Sequence, residues 1–416
     1  MIQPARQLAI SLLLLATVAS ADEPASAADP APAAGDLAVE IAPADAWPMA
    51  RGSLAGTGRS AATLRLPLAE AWRRDFGNTA FSAVPVIAGG TVYIGDLDGR
   101  FQALDLETGK TRWTYTAADA GFSAAAAVAA DPALPVAVGD DRGIVRGLDR
   151  GTGAVRWEYA TEGEISGGPT ILPAPAGPRL LVGSQDASLS CLELATGKLI
   201  WKHSIADQIR CGPTVARTPA GDRVFLAGCD GQLHVIDAGS GQERGTVGIG
   251  GPTGTTPAVA GSLVLFGTEG GGFFAIDFTK PAVAWQHQPA AGGQAYRSSA
   301  AVAEEIVVVG TRGRAVEAFG VADGRQAWRQ PLPGRVDASP VVVEATGGQA
   351  DPAAAARPVV LVADAKGTLA ALELADGRRA WEFDAGGGFG AGPAVAAGRV
   401  VIASDDGTVW CFRSGE

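Results

Sequence analysis

Histidine, methionine and cysteine are scarce in this chain, at three, two and four in 416 residues. Four cysteines are too few for a disulfide-stapled scaffold. The histidines, His203, His234 and His287, fall in different parts of the sequence with no ligand spacing between any two, so no metal site is expected from them. No C-x-x-C-H run offers a covalent haem. Positive charge is also short, with 33 Lys and Arg against 44 Asp and Glu and a net charge of −11, which argues against nucleic acid as a partner. No stretch is apolar for long enough to cross a bilayer, so no transmembrane span is expected.

What the chain has in quantity is glycine, 57 residues, and small apolar side chains within a 47% hydrophobic total, enough to bury a sizeable core. Residues 1–21, MIQPARQLAISLLLLATVASA, combine Arg6, a dozen-residue apolar run from Leu8 to Ala19, and the small-x-small site Ala19-Ser20-Ala21. That pattern predicts a secretory signal peptide and a protein that is periplasmic or secreted, soluble after cleavage before Asp22. No cysteine lies near the cleavage site to carry a lipid anchor. Residues 22–46 are rich in Ala and Pro and carry six acidic and no basic side chains, which predicts a flexible leader.

From residue 47 onward the sequence repeats itself. A turn of the Asp-Gly kind stands at Asp98-Gly99, Arg142-Gly143, Asp186-Ala187, Asp230-Gly231, Glu269-Gly270, Arg312-Gly313, Lys366-Gly367 and Asp406-Gly407. About fifteen residues after a turn comes a tryptophan: Trp113, Trp157, Trp201, Trp285, Trp328 and Trp381. The fourth copy has Gly245 in that place, and the eighth stops short of it. A spacing of mostly 40–44 residues, with period-2 runs such as Leu263–Phe266, fits four short strands per repeat rather than paired helices. The eighth copy lacks an outer strand, and the orphan segment 69–75 around Trp72 has the sequence of one. Joining the two closes the ring, so the prediction is all-β: a single eight-bladed β-propeller whose last blade is completed by an N-terminal strand. Residues 47–68 form an N-terminal extension, expected to pack on one face or beside the last blade. The segment Glu344 to Arg357, within blade seven, is expected to be a floppy surface loop.

The run Ala103-Leu-Asp-Leu-Glu-Thr-Gly-Lys-Thr-Arg-Trp113, echoed as CLELATGKLIW and ALELADGRRAW, resembles the tryptophan-docking motif of pyrroloquinoline-quinone-type propeller repeats. The resemblance implies that Trp72, Trp113, Trp157, Trp201, Trp285, Trp328 and Trp381 pack between blades as core rather than as a stacking platform. It also implies two kinds of relative. In the quinoprotein dehydrogenases the quinone and Ca²⁺ occupy the channel, held by Glu, Asn and Asp, often beside a vicinal Cys-Cys ring. The periplasmic propeller lipoprotein of the outer-membrane β-barrel assembly machinery binds proteins and no cofactor. Here the only asparagine, Asn78, lies in the loop entering blade one, and no vicinal cysteines exist. The reading is therefore a non-catalytic, monomeric scaffold for a protein partner with no cofactor. A channel-ligand binder or quinone enzyme with Ca²⁺ is the alternative.

Two further groups of residues stand out. If the first strand of each blade lines the channel, Ser82, Ser123, Ser166, Arg210, Gly254, Arg297, Asp337 and Gly390 form a ring at its mouth. Arg210, Arg297 and Asp337 on that ring could seat a polar or anionic ligand, or could be solvated charges. Cys211 and Cys229 fall near opposite positions of an antiparallel pair, so a disulfide and two free thiols both remain open. Cys191 and Cys411 are too far apart round the ring to meet.

Overall fold

The computed structural model describes Met1 and residues 41–288, 293–347 and 355–415. The expected signal peptide and most of the acidic leader lie outside the described residues, as do residues 348–354 of the expected loop. Every described element is a strand, and the strands form eight sheets arranged as the eight blades of a propeller. No helix among the described residues is long and apolar enough to cross a membrane.

The innermost strands are Val86–Ala88, Ala127–Val128, Thr170–Leu172, Thr214–Ala216, Ala258–Ala260, Ala301–Ala303, Val341–Gly347 and Ala394–Ala396. Three antiparallel strands follow each of the first seven, in chain order outward. Blade eight takes its outermost strand, Ala69–Asp75, from the N-terminal side, with Trp72 opposite Cys411 on Thr408–Arg413. That pairing closes the ring by hydrogen bonds between the two ends of the repeat array.

The core lies between blades. One apolar cluster joins Val86, Tyr93 and Trp113 of blade one to Val136, Val138 and Leu148 of blade two, and comparable clusters join the later blades. The tryptophans fix these seams by one repeated contact. The Trp113 indole donates to the Arg150 carbonyl of the next blade at 2.9 Å, and a Cβ added at Gly153 would come within 2.6 Å of its ring. Trp72, Trp157, Trp201, Trp285 and Trp328 donate in the same way to Leu106, Leu194, Ala238, Val321 and Leu374. Gly153 has a φ of 74°, so the left-handed turn and the ring above it both call for glycine. Where blade four has Gly245 instead of tryptophan, the following turn has Pro281 in contact with Gly245. Trp381 has no further blade turn to dock on and packs against Phe383 and Phe412.

The N-terminal extension takes the first of its two expected placements, closing one face. It does not lie beside one blade but runs round the inner wall, touching all eight. Trp47 and Ile87 exchange backbone hydrogen bonds at 2.8 and 2.9 Å, and Val128 N–H donates to the Pro48 carbonyl at 2.9 Å. The Ile171 amide faces Met49 Sδ at 3.2 Å. Val215, Val259, Val302 and Val342 donate to Leu54, Ala55, Thr57 and Gly58. Ser60 Oγ donates to Val395, and Ala397 N–H to Ala44, on blade eight. The physical reason is that each innermost strand leaves a row of backbone groups facing the axis, and these need partners once buried. Order therefore begins before residue 47: Ala42 is buried and bonded to Arg59.

The extension continues into a strand, Arg59–Leu66, that pairs in parallel with Val341–Gly347 as a fifth strand of blade seven. Glu344 to Gly347, expected as loop, is thus strand: all four pair with Thr63–Leu66, and Glu344 and Ala345 pair with Pro358 and Arg357 on the other side. Alternation of Ala62, Leu64 and Leu66 inward with exposed neighbours explains why this segment sits as a strand.

Candidate functional site

At the starts of the innermost strands the ring opens into a polar cavity of about 460 Å³. Ser166, Arg210, Gly254 and Arg297, from four successive blades, line it with Glu164, Gln185 and Glu269. The predicted mouth ring is thus assembled over half its circumference. Asp337 is not among the lining residues; its carboxylate is held by Arg335 at 2.9 Å and by Arg312 at 3.4 Å. Arg297 pairs with Glu269 at 3.0 Å, so its charge is matched. Among the described residues, Arg210 is held only by the neutral Gln208 Oε1, at 2.6 and 3.0 Å. Glu164 accepts from Ser123 Oγ at 3.2 Å, and Gln185 donates to Ser166 Oγ at the same distance. On the blade-eight side, burial raises the Asp405 carboxyl, against a hydrogen bond from the Gly390 amide and the pull of Arg335.

The Glu/Asn/Asp set that would hold a quinone-bound Ca²⁺ is not gathered here. Asn78 is exposed between Ala69–Asp75 and Val86–Ala88 and does not line the cavity. Glu269, one of the two cavity acids, is already engaged by Arg297. These residues do not fit the quinone and its metal.

The opposite face has another character. A cavity of about 530 Å³ is built on the N-terminal extension, from Ile41, Pro48, Met49 and Leu54, against Val128, Ala130, Ile171 and Pro173 of blades two and three. Above it the extension fills the axis. Arg51 is buried and donates to the carbonyls of Ala300 and Pro340, both at 2.8 Å. Burial without a carboxylate partner pulls its pKa down to about 9. Trp47 and Trp410, which stand outside the repeated tryptophan positions, are both buried and belong to the packing.

Cys211 and Cys229 are separate free thiols, as are Cys191 and Cys411. Cys211 Sγ lies 3.3 Å from the Ala227 carbonyl, and Cys229 Sγ 3.7 Å from that of Thr253. The register explains the difference. Thr214 pairs with Phe225, and the same ladder continued would set Cys211 against Gly228, one residue short of Cys229. A one-residue offset turns the second side chain to the other face.

Sequence spacing missed one grouping. His203, on the outermost strand of blade three, meets His234 and Glu243 of blade four, with ligand atoms within 4.8 Å of one another. The signal was there: the residue two beyond a tryptophan faces the residue 31 positions later on the next blade. Tyr159 meets Ser190 at 3.1 Å in that way, and Tyr115 lies under Arg146. His287 has no such partner and its ring rests on Phe319.

Sequence comparison matches residues 68–168, 141–220, 185–342 and 314–415 to the family model described as outer membrane protein assembly factor BamB. The chain belongs to the BamB family. Among solved structures, BamB from Moraxella catarrhalis is similar at 17% identity and a TM-score of 0.64, over 83% of this chain and 97% of that one. Quinohemoprotein alcohol dehydrogenase from Comamonas testosteroni is similar at 14% identity and 0.70, over 89% and 82%. The computationally designed Ika8 protein is similar at 18% and 0.63, over 81% and 98%. At these identities the likeness extends to the fold alone. No curated protein matches the chain in sequence.

Proposed function

We propose that this BamB-family chain is an exported, non-catalytic scaffold that binds a protein partner in the assembly of envelope or outer-membrane proteins. The observation that carries the reading is the apolar cavity built on the N-terminal extension. Its lining of Ile41, Pro48, Met49, Leu54, Val128 and Ile171 suits apolar side chains of an extended partner segment. The family's described role in outer-membrane protein assembly supports the same reading. The test is a photo-crosslinking amino acid placed at the exposed Ala130, beside the cavity, in cells exporting the protein. A discrete adduct from Ala130, absent from the same probe at Lys280 on the outer turn of blade five, is the expected result. Equal labelling from both positions contradicts it.

One observation favours a second reading: Arg210 faces the polar cavity with no carboxylate partner among the described residues, as a site for a small anion would. A thermal scan with and without inorganic phosphate separates the two. Binding at a hundredfold excess over Kd adds about 2.7 kcal/mol, an upward shift that the scaffold reading does not predict.

A further inference from the structure

The seam between blades three and four holds a set of side chains that the scaffold does not use. His203 lies on the strand Leu199–Ser204, two residues beyond Trp201, and Glu243 lies two residues beyond Gly241, against which the Trp201 ring packs. The histidine and the glutamate therefore sit one step further out along the same seam. Between them stands His234, buried on the strand Gln232–Asp237.

Three distances define the group. His234 Nδ1 is 2.8 Å from Glu243 Oε2, His234 Nε2 is 2.9 Å from Asp230 Oδ2, and His203 Nε2 is 3.7 Å from Glu243 Oε2. The last exceeds a hydrogen bond, and His203 Nε2 is sealed from solvent with no hydrogen-bond partner. Two ring nitrogens and one carboxylate oxygen thus converge within 4.8 Å of one another, and one of them, His203 Nε2, has no hydrogen-bond partner among the described residues.

We propose that His203 Nε2, His234 Nδ1 and Glu243 Oε2 bind one Zn²⁺ ion, with Asp230 orienting His234. Zinc bonds of roughly 2.0–2.1 Å place neighbouring tetrahedral ligands about 3.3 Å apart, a value the 2.8 and 3.7 Å separations bracket. Two imidazoles and one carboxylate select a first-row transition ion over Ca²⁺ or Mg²⁺. The carboxylate on the far nitrogen of His234 is the arrangement that commonly fixes the tautomer of a metal-binding histidine. Glu243 is partly exposed, which gives the ion a path from solvent and leaves a fourth position for water. Because the ligands come from two blades, the ion staples blade three to blade four. Blade four is the one with Gly245 in place of a docking tryptophan.

The experiment uses the full exported chain, stripped with chelator and titrated with Zn²⁺ and with Co²⁺. The expected result is one ion per chain, visible d–d bands from Co²⁺ without a strong thiolate charge-transfer band, and a thermal midpoint several degrees higher with Zn²⁺. His203→Gln and Glu243→Gln are expected to keep the metal-free midpoint while losing at least tenfold in Zn²⁺ affinity and most of the thermal shift. A thiolate band would move the ion to a cysteine and overturn the assignment. So would an absence of binding, or binding unchanged in both variants.

Discussion

Trp157 lies flat on Gly197, a residue of the next blade: a Cβ added there would come within 2.5 Å of the ring, while the indole N–H reaches the Leu194 carbonyl at 3.0 Å. The glycine of one blade's turn and the tryptophan of the blade before it are thus a single device, repeated round the ring.

Gly197→Ala should therefore be destabilising through two effects. Its φ of 72° costs an alanine about 1–2 kcal/mol, and the ring above must also move. Chemical denaturation should show a loss of at least that size. A variant as stable as the parent would detach glycine from tryptophan docking.

The reverse change is predicted at Ala187, which replaces the turn glycine in blade three and sits at a φ of 68°. Ala187→Gly should relieve about 1–2 kcal/mol of left-handed strain, less about 0.4–1 kcal/mol for the entropy glycine adds to the unfolded chain, a net gain of about 0.5–1 kcal/mol. A lower midpoint would contradict it.

Reading the repeat made the eight blades, the closing strand and the tryptophan seams legible, because each rests on a pattern of short period: a turn, an alternating strand, an indole at fixed distance. The path of residues 42–60 was not. Its contacts to Ile87, Val215, Val342 and the other innermost strands are made mainly through backbone groups, which leave little mark on side-chain identity. At the mouth, Arg210 and Arg297 were found because they break a run of small residues; Gln208 lies two residues before Arg210 in the same loop, but Glu269, the partner of Arg297, comes from a separate turn. The His203–His234 meeting required the 31-residue offset between neighbouring blades, which only the assembled ring makes plain.

Acid should weaken the turns. Arg112 and Thr108 hold Asp105, and Arg156 and Thr152 hold Asp149, each down to about 2. These folded-state values lie below the unfolded value near 4, so the contribution is complete above about pH 4 and is lost as pH falls through 2. The midpoint difference between the parent and the double variant Asp105→Asn, Asp149→Asn should be largest near neutrality and close between pH 4 and 2. A difference constant with pH would refute the assignment.

Burial pushes the thiols of Cys191, Cys211 and Cys411 up to about 12. At pH 8 about one in 10⁴ of each is thiolate, so a disulfide reagent should leave them unmodified in the native protein while labelling the half-buried Cys229 slowly. Denatured protein should titrate four. Two or fewer after non-reducing denaturation would mean that Cys211 and Cys229 are joined.

The account rests on the face closed by the N-terminal extension being the one that takes a protein. The most direct measurement is co-purification, without crosslinker, of the partner identified from the Ala130 adduct, by the parent and by Ala130→Trp, in which an indole fills the cavity beside Pro48 and Ile171. With both proteins folded to the same midpoint, the account predicts at least a tenfold loss of partner with Ala130→Trp and none with Arg210→Ala at the opposite mouth. Full recovery with Ala130→Trp, or loss with Arg210→Ala alone, would contradict it.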